Sequence, residues 1–330
     1  MSAKLPRLRG RIILVLFTLL VLLRLGHMAV GQSFNGPGPL RTSADLVIPP
    51  GGIAATGAVL SRAGAIRHPL IFRIAVFLTR ADGPLHAGEF LIPARSSLAD
   101  ILQILRHGAP VQHQVTIPEG LTGVEIAKII NAATAASGRA AVPAEGAVLP
   151  QTYDFTLGTS RAAILARAQK AMRRSLAAAW AHRAPGLPLQ SPQQALILAS
   201  IVQSETPVAA ELPEIAAVYE NRLTLGMRLQ ADPTVIFAAS GGQTSGGLPI
   251  TRADLASPSP YNTYLHAGLP PGPICAPGLA AIQAVLHPTA MQALYFVATG
   301  NGGHVFADNF KTQLRNIQTY RATLAAQAAP

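Results

Sequence analysis

The 330-residue sequence predicts an α+β protein: a single N-terminal transmembrane helix, a small β-α-α-β subdomain, then a larger mixed α+β domain. Three observations predict it. One apolar run near the start, Ile12–Val30, is framed by basic residues. Two short extended segments then bracket two apolar helical ones. From Ser97 onward, helix-capping signals recur ahead of helical periodicities, separated by Pro/Gly-rich loops. At ~150 residues per domain the length suits about two folded units. Charged residues are 12 % where ~25 % is ordinary, apolar residues are 49 %, and Gly and Pro together stay below low-complexity levels. Disorder, collagen and a multi-span membrane protein are thereby excluded.

The net charge of +11 is unevenly spread. Lys4, Arg7, Arg9, Arg11 and Arg24 surround the apolar run, and no acid precedes Asp45. The remainder is only mildly basic and holds no Lys/Arg-rich patch of the nucleic-acid type. No nucleic-acid partner is expected; an anionic polymer or an acidic membrane surface suits this balance. Cys275 is the single cysteine, so an intramolecular disulfide and a cysteine metal cluster are both ruled out.

Residues 1–11 form a basic tail and residues 12–30 the membrane anchor. Ile12–Leu23 alone is short of the ~20 residues a span needs. Continuing to Val30 gives nineteen, with Arg24 able to snorkel to the headgroups. The basic residues before Ile12 keep the N-terminus cytoplasmic and export the rest. A cleaved signal peptide ending at Ala29-Val30-Gly31 is the rival, and a buried core helix the third reading.

Residues 31–44, with two Gly-Pro pairs, read as a linker. The small subdomain spans 45–110. Asp45–Ile48 is a strand, Ile53–Arg62 and His68–Leu78 are helices, and Glu89–Ile92 is the second strand, an order that suits a glycan-binding module. The larger domain spans 111–325. Ser97 with Asp100 opens a helix whose stripe is Leu98, Ile101, Leu102 and Leu105, closed by Gly108; Thr122 with Glu125 repeats the device. Ser160 heads a long amphipathic helix through Ile164, Ala168, Met172 and Leu176. Ser240–Gly247 reads as a mobile Gly/Ser-rich loop.

Several chemistries leave no trace. There is no Gly-x-Ser-x-Gly elbow, no phosphate loop and no His-Glu-x-x-His helix, and the nine histidines lack paired metal spacing. Neither a metal nor a cofactor is expected. The informative stretch is Ser191–Asp232. Ser191-Pro192 is an N-cap with proline in the first turn. Leu198, Ile201 and Val202 make an apolar stripe on which Glu205 falls, and Pro207 stops the helix at Thr206. Glu205 is thus a carboxyl on a core-facing stripe at a helix C-terminus. The helix dipole contributes only ~0.3–1 kcal/mol, whereas burial can raise a carboxyl pKa by ~3–5, which is what a general acid needs. From the helix alone the alternative, an exposed residue on a last turn, stays open.

A second helix, Pro213–Leu225, carries Tyr219, Asn221 and Arg222 and ends at Gly226; Met227–Thr234 continues as a turn. Loops containing Ser259–Tyr264, Gly268–Pro273 and Gly302–Phe306 follow. Amides, hydroxyls and aromatics in stiff Pro/Gly loops could line a carbohydrate groove, or could be turn chemistry only.

At these residues the chain resembles the endolytic murein transglycosylase, or YceG-like, family. The matching stretches are LILASIVQSET (196–206), VYENRLTLGMRLQADPTV (218–235), SPYNTYLHAGLPPGPI (259–274) and LYFVATGNGGHVF (294–306). With IPEG (117–120) and Gly88–Ile92 the resemblance covers about residues 45–320, and the N-terminal module resembles that family's LysM-like subdomain. It implies a single-pass protein of the cell inner membrane with a periplasmic catalytic domain. That domain would cut peptidoglycan glycan strands internally to 1,6-anhydro ends, with peptidoglycan synthases as candidate partners. Glu205 matches the catalytic glutamate. Asn221, Gln230, Asp232, Tyr261, Asn262 and Thr263 fall in the motifs as substrate-groove or scaffold residues, with Asp232 equally able to cap the turn at Pro233. The chain departs from the family at Gln203, where an acid is usual, and at Gln151 and Ala147, where an acid and an aromatic are. Two alternatives remain: a non-catalytic glycan-binding scaffold, and a hydrolase using Glu211 or Asp232 as second carboxyl.

Overall fold

The computed structural model describes residues 31–327 together with Phe17, Thr18, Leu20, Val21 and Arg24. The basic tail and the anchor expected at 12–30 therefore lie outside the described residues, those five apart. Among the described residues no helix is long and apolar enough to cross a membrane. The chain divides into two compact units, one running to His113 and one starting at Gln114.

The first unit contains β1 (Ala44–Ile48), α1 (Gly52–Arg62), α2 (Pro69–Leu78), β2 (Gly88–Ile92) and α3 (Leu98–His107). β1 and β2 pair antiparallel, with Leu46 opposite Phe90 and Ala44 opposite Ile92. Alternation sends Ile48, Phe90 and Ile92 inward, where they meet Leu60, Phe72, Val76 and the α3 stripe Ile101, Leu102 and Leu105. Ser97 and Asp100 form a complete capping box at α3. The expected linker is partly structured. Residues 31–35 are helical, Leu40 joins the core, and the backbone bonds Gly38 N–H to Arg95 C=O and Arg95 N–H to Leu40 C=O stitch it down. Its Gly-Pro pairs bend the chain onto the unit without freeing it.

The second unit follows β3 (Gln112–Thr116) with α4 (Gly123–Ala132), β4 (Thr152–Thr156), α5 (Arg161–Ala181), α6 (Pro192–Glu205) and α7 (Leu212–Thr224). Then come α8 (Asp232–Ala239), α9 (Arg252–Leu255), α10 (Leu279–Leu286), β5 (Tyr295–Ala298), β6 (His304–Ala307) and α11 (Phe310–Gln327). The sheets are two-stranded, β3 with β4 and β5 with β6. One core gathers Ile117, Ile126, Ile130, Phe155 and Ile164; the other surrounds α6. Ala195–Val202 of α6 is buried without a break, so over this stretch the helix is a central post with no solvent face. The sequence stripe Leu198/Ile201/Val202 is only one side of it.

Two local readings need correction. The turn expected across Met227–Thr234 ends early, because Asp232 and Pro233 open α8, whose first turn tolerates proline. The Ser240–Gly247 segment is tied down, not loose: Thr122 Oγ1 donates to Gln243 C=O, Ser245 Oγ donates to Gly120 C=O, and Ser240 Oγ closes the loop on Thr244 C=O.

Candidate active site

Glu205 is the last residue of α6. Ser191 caps the start by accepting from Gln194 N–H, and Thr206 turns to extended geometry (φ −145°) ahead of Pro207. The helix end carries Glu205 out of the core but not into open solvent. Its side chain is half-buried, and its Oε1 accepts a short hydrogen bond from the Tyr219 hydroxyl. Burial pushes the Glu205 carboxyl up to about 7; the Tyr219 bond opposes this, the charge of Asp232 adds to it, and Arg222 opposes it. The dominant cause is desolvation, as a carboxyl acid at neutral pH requires.

Tyr219 comes from α7, the helix against α6. It is 1 % exposed, its ring stands edge-on to Phe296 of β5 at 5.9 Å, and its hydroxyl is held strongly protonated by burial and by Glu205. Arg222, three residues later, is also buried. Its guanidinium donates to Leu294 C=O (2.7 Å) and Leu229 C=O (2.6 Å) and lies over the Tyr295 ring. It is thereby a fixed positive charge behind the acids. α7 then ends in a Schellman motif: Met227 N–H reaches Arg222 C=O, Gly226 N–H reaches Leu223 C=O, and Gly226 takes φ +66°.

Across from α7, Asp232 opens α8 with its side chain exposed. Its Oδ1 accepts from the Tyr264 hydroxyl at 2.5 Å, and both Asp232 and Glu205 hold that phenol protonated, after burial. Gln230, also exposed, sits just before it at φ +50°, its N–H bonded to Thr263 C=O. Two carboxyl–tyrosine pairs thus share one electrostatic neighbourhood.

Three of the remaining expected site residues, Asn221, Asn262 and Thr263, spend their polar groups on the chain's own backbone. Asn221 donates to Met291 C=O and Ala293 C=O, fixing the chain that enters β5. Asn262 is fully buried, donating to Ser257 C=O (2.8 Å) and Leu255 C=O (3.0 Å) and accepting from Tyr264 N–H. Thr263 accepts from Ala231 N–H and shares a hydrogen bond with Thr234. Tyr261 packs on Phe237 with ring centroids 4.9 Å apart. Asn262 and Thr263 thereby hold the turn that carries Gln230, Asp232 and Tyr264, while Asn221 holds the chain entering β5. Glu211 is not a free second carboxyl. It accepts from His304 N–H (2.7 Å), pairs with His304 Nδ1 (2.8 Å) and accepts from Thr206 Oγ1, and these bonds outweigh burial and hold its pKa low. Gly303 before that histidine has φ +90°, and a Cβ there would meet Glu211 Oε1 at 2.6 Å.

The chain matches the YceG-like family over residues 46–319. It belongs to that family. The endolytic murein transglycosylase of Bacillus subtilis (strain 168) is 28 % identical over 313 residues, which is 85 % of this chain and 85 % of that protein. The endolytic murein transglycosylase of Streptococcus pneumoniae serotype 2 (strain D39) is 28 % identical over 308 residues, 79 % of this chain and 55 % of that protein. A solved YceG-like protein from Listeria monocytogenes is 27 % identical, with a TM-score of 0.49 over 83 % of this chain and 99 % of its own.

Within this YceG-like chain one departure noted in the sequence, Gln203, has a structural role. Gln203 accepts from Gly278 N–H at 2.9 Å, a bond that needs an acceptor but no charge. In the 145–153 loop, Glu145 accepts from Gly123 N–H at the start of α4 and is pushed up to about 7 by burial, while Tyr153 donates to Leu149 C=O. Cys275 is an inert buried thiol, donating to Ser200 C=O and raised to about 12 by desolvation. Among the described residues no three His, Cys, Asp or Glu side chains gather as a metal site. Tyr219, Arg222 and Tyr264 are the site residues the sequence left unassigned. Tyr219 and Glu205 are fourteen positions apart on different helices, so no spacing rule joins them.

Proposed function

We propose that this YceG-like protein is an endolytic peptidoglycan lytic transglycosylase that breaks MurNAc–GlcNAc bonds within nascent glycan strands and so ends their elongation. Family membership and the relatives' names support the reaction class. The observation that carries the mechanism is Glu205: a half-buried carboxyl poised at about 7, bonded to a tyrosine hydroxyl, at the mouth of a helix end.

Protonated Glu205 donates its proton to the glycosidic oxygen as the bond from that oxygen to MurNAc C1 breaks. The carboxylate left behind takes the proton from the same sugar's C6 hydroxyl as O6 bonds to C1. The product is a 1,6-anhydro ring, and no water is consumed. One carboxyl therefore serves both steps, whereas hydrolysis uses two at a defined separation. Glu205 near its half-titration point at neutral pH can give and take the proton. Tyr219 stabilises and orients the carboxylate formed between the two transfers, and Gln230, Asp232 and Tyr264 offer polar groups to the sugars.

A second reading, hydrolysis, draws on Asp232, whose charge reaches Glu205. The third, a glycan-binding scaffold for wall synthases, is favoured by nothing in this site. Around the catalytic unit we place a single-pass anchor at 12–30 in the inner membrane with the N-terminus in the cytoplasm. Residues 45–110 would then be a LysM-like glycan-binding subdomain, and peptidoglycan synthases are candidate partners. The test is mass spectrometry of long glycan strands incubated with the detergent-solubilised full chain. Internal fragments with 1,6-anhydro ends support the proposal; reducing ends support hydrolysis; a ladder of disaccharides from one end, or bound but intact strands, contradicts endolytic cleavage.

A further inference from the structure

The outward face of α2 is apolar where a freestanding subdomain would be polar. Leu70 is 64 % exposed, Ile74 49 %, Phe77 62 % and Leu78 69 %, and Ile71 joins them. These positions follow the i, i+1, i+4, i+7, i+8 pattern of one helix face. The opposite face, Phe72, Ala75 and Val76, already fills the core, so the exposed row has no role in folding the unit. Isolated surface apolar residues need no explanation, but a contiguous row marks an interaction surface.

Charge defines what the row would meet. From Leu46 to Ala81 the chain carries four arginines and one histidine and no acid at all. Arg67, His68, Arg73 and Arg80 are exposed beside the row, and the Arg80 guanidinium lies 4.6 Å from the Phe77 ring centroid, keeping that charge at the apolar edge. Leu, Ile and Phe on one face with arginines along the flank is the composition of a helix that lies in a lipid headgroup region. Position agrees with composition. Gln32 and Ser33, directly after the apolar segment 12–30, line a cavity of about 570 Å³ together with Arg67, His68 and Ile71 at the start of α2. The chain thus leaves the expected anchor beside this helix.

From this juxtaposition we propose that the outward face of α2 beds in the surface of an anionic lipid bilayer. The proposal rests on the anchor reading for the nearness of that bilayer. Its consequence is a first unit held flat against the membrane face, in place of one swinging on a tether.

The full chain carrying Cys275→Ser and Ile74→Cys, labelled at residue 74 with an environment-sensitive fluorophore, is reconstituted into vesicles containing phosphatidylglycerol or into pure phosphatidylcholine. Nitroxides on the lipid acyl chains quench the label if residue 74 is bedded. Strong quenching in the anionic vesicles is expected, with the bedded population falling about fivefold for each of Arg67→Gln and Arg73→Gln. No quenching in either vesicle overturns the proposal. So does a label shielded from water in the anionic vesicles but not quenched by the acyl-chain nitroxides, which would mark a second copy or another protein on the face. Should the labelled variant not fold, hydrogen exchange of residues 69–78 in the unaltered chain gives the same decision. Slower exchange in anionic vesicles than in pure phosphatidylcholine vesicles supports bedding, and equal exchange overturns it. Failure of the chain to float with vesicles sinks the anchor reading alone. The label is then read with anionic vesicles added in excess, and absence of quenching there overturns the docking as well.

Discussion

Replacing Tyr219 by Phe removes one hydroxyl and keeps the ring, including its edge contact with Phe296. The lost bond is a neutral O–H donor to an ionised carboxylate, worth about 1.5–3 kcal/mol. That stabilisation belongs to the charged form of Glu205, so its removal favours the protonated form. At 1.36 kcal/mol per pKa unit, Glu205 should rise from about 7 to roughly 8–9. Glu205 must be protonated to act as acid, so the basic limb of the kcat/KM profile should move to higher pH by about 1–2 units. At pH 8 the protonated fraction would grow from about a tenth to more than half. The plateau should nevertheless fall roughly tenfold, because the carboxylate that forms between the two proton transfers loses its donor. The assay is the initial rate of 1,6-anhydro end formation from pH 5 to 9.5, followed by mass spectrometry. A basic limb that stays put, or moves down, refutes the assignment of Tyr219 as the group that tunes and holds Glu205.

Other outcomes follow from the same contacts. Glu205→Gln should lower the cleavage rate by about 10²–10⁴ while leaving strand binding and the melting temperature close to wild type, since the amide keeps an acceptor for Tyr219. Glu220 lies on α7, 5 % exposed, with Oε1 unpartnered, and burial pushes it up to about 8 from 4.5. A carboxyl raised in the folded state stabilises fully below its unfolded pKa and loses that contribution as pH climbs to 8, so urea midpoints should drop from pH 4.5 to 8.5. Glu220→Gln should flatten that drop by up to about 5 kcal/mol. Asn262→Ala leaves Leu255 and Ser257 carbonyls without their donor and frees Tyr264 N–H, costing about 3 kcal/mol in denaturant titrations and loosening the Tyr264–Asp232 pair.

Local chemistry was readable in the sequence wherever its partners are three or four residues apart. Ser97 with Asp100 and Thr122 with Glu125 form complete capping boxes, and Ser160 and Ser191 each accept from the third residue of the helix they head. Pro207 ends α6 at Glu205 for a steric reason intrinsic to the dipeptide. The direction a polar side chain faces is another matter. Asn221, Asn262 and Thr263 carry groups suited to sugar hydroxyls, yet each spends them on backbone carbonyls or amides of the unit's own loops. Composition alone could not separate those roles, because a buried amide and a sugar offer the same donors and acceptors. Likewise Glu211 is near the site but engaged by His304, 93 positions away. The Glu205–Tyr219 pair depends on how α6 and α7 pack, so it became visible only in three dimensions.

Glu205 alone is expected to carry the proton in and out while the sugar's own O6, not water, closes on C1. The most direct test of this mechanism is digestion of glycan strands in oxygen-18 water by the wild-type chain and by Glu205→Gln. Expected are 1,6-anhydro ends free of oxygen-18 from the wild type and no new ends from the variant. Oxygen-18 at C1 of the new ends, or undiminished cleavage by Glu205→Gln, would contradict it.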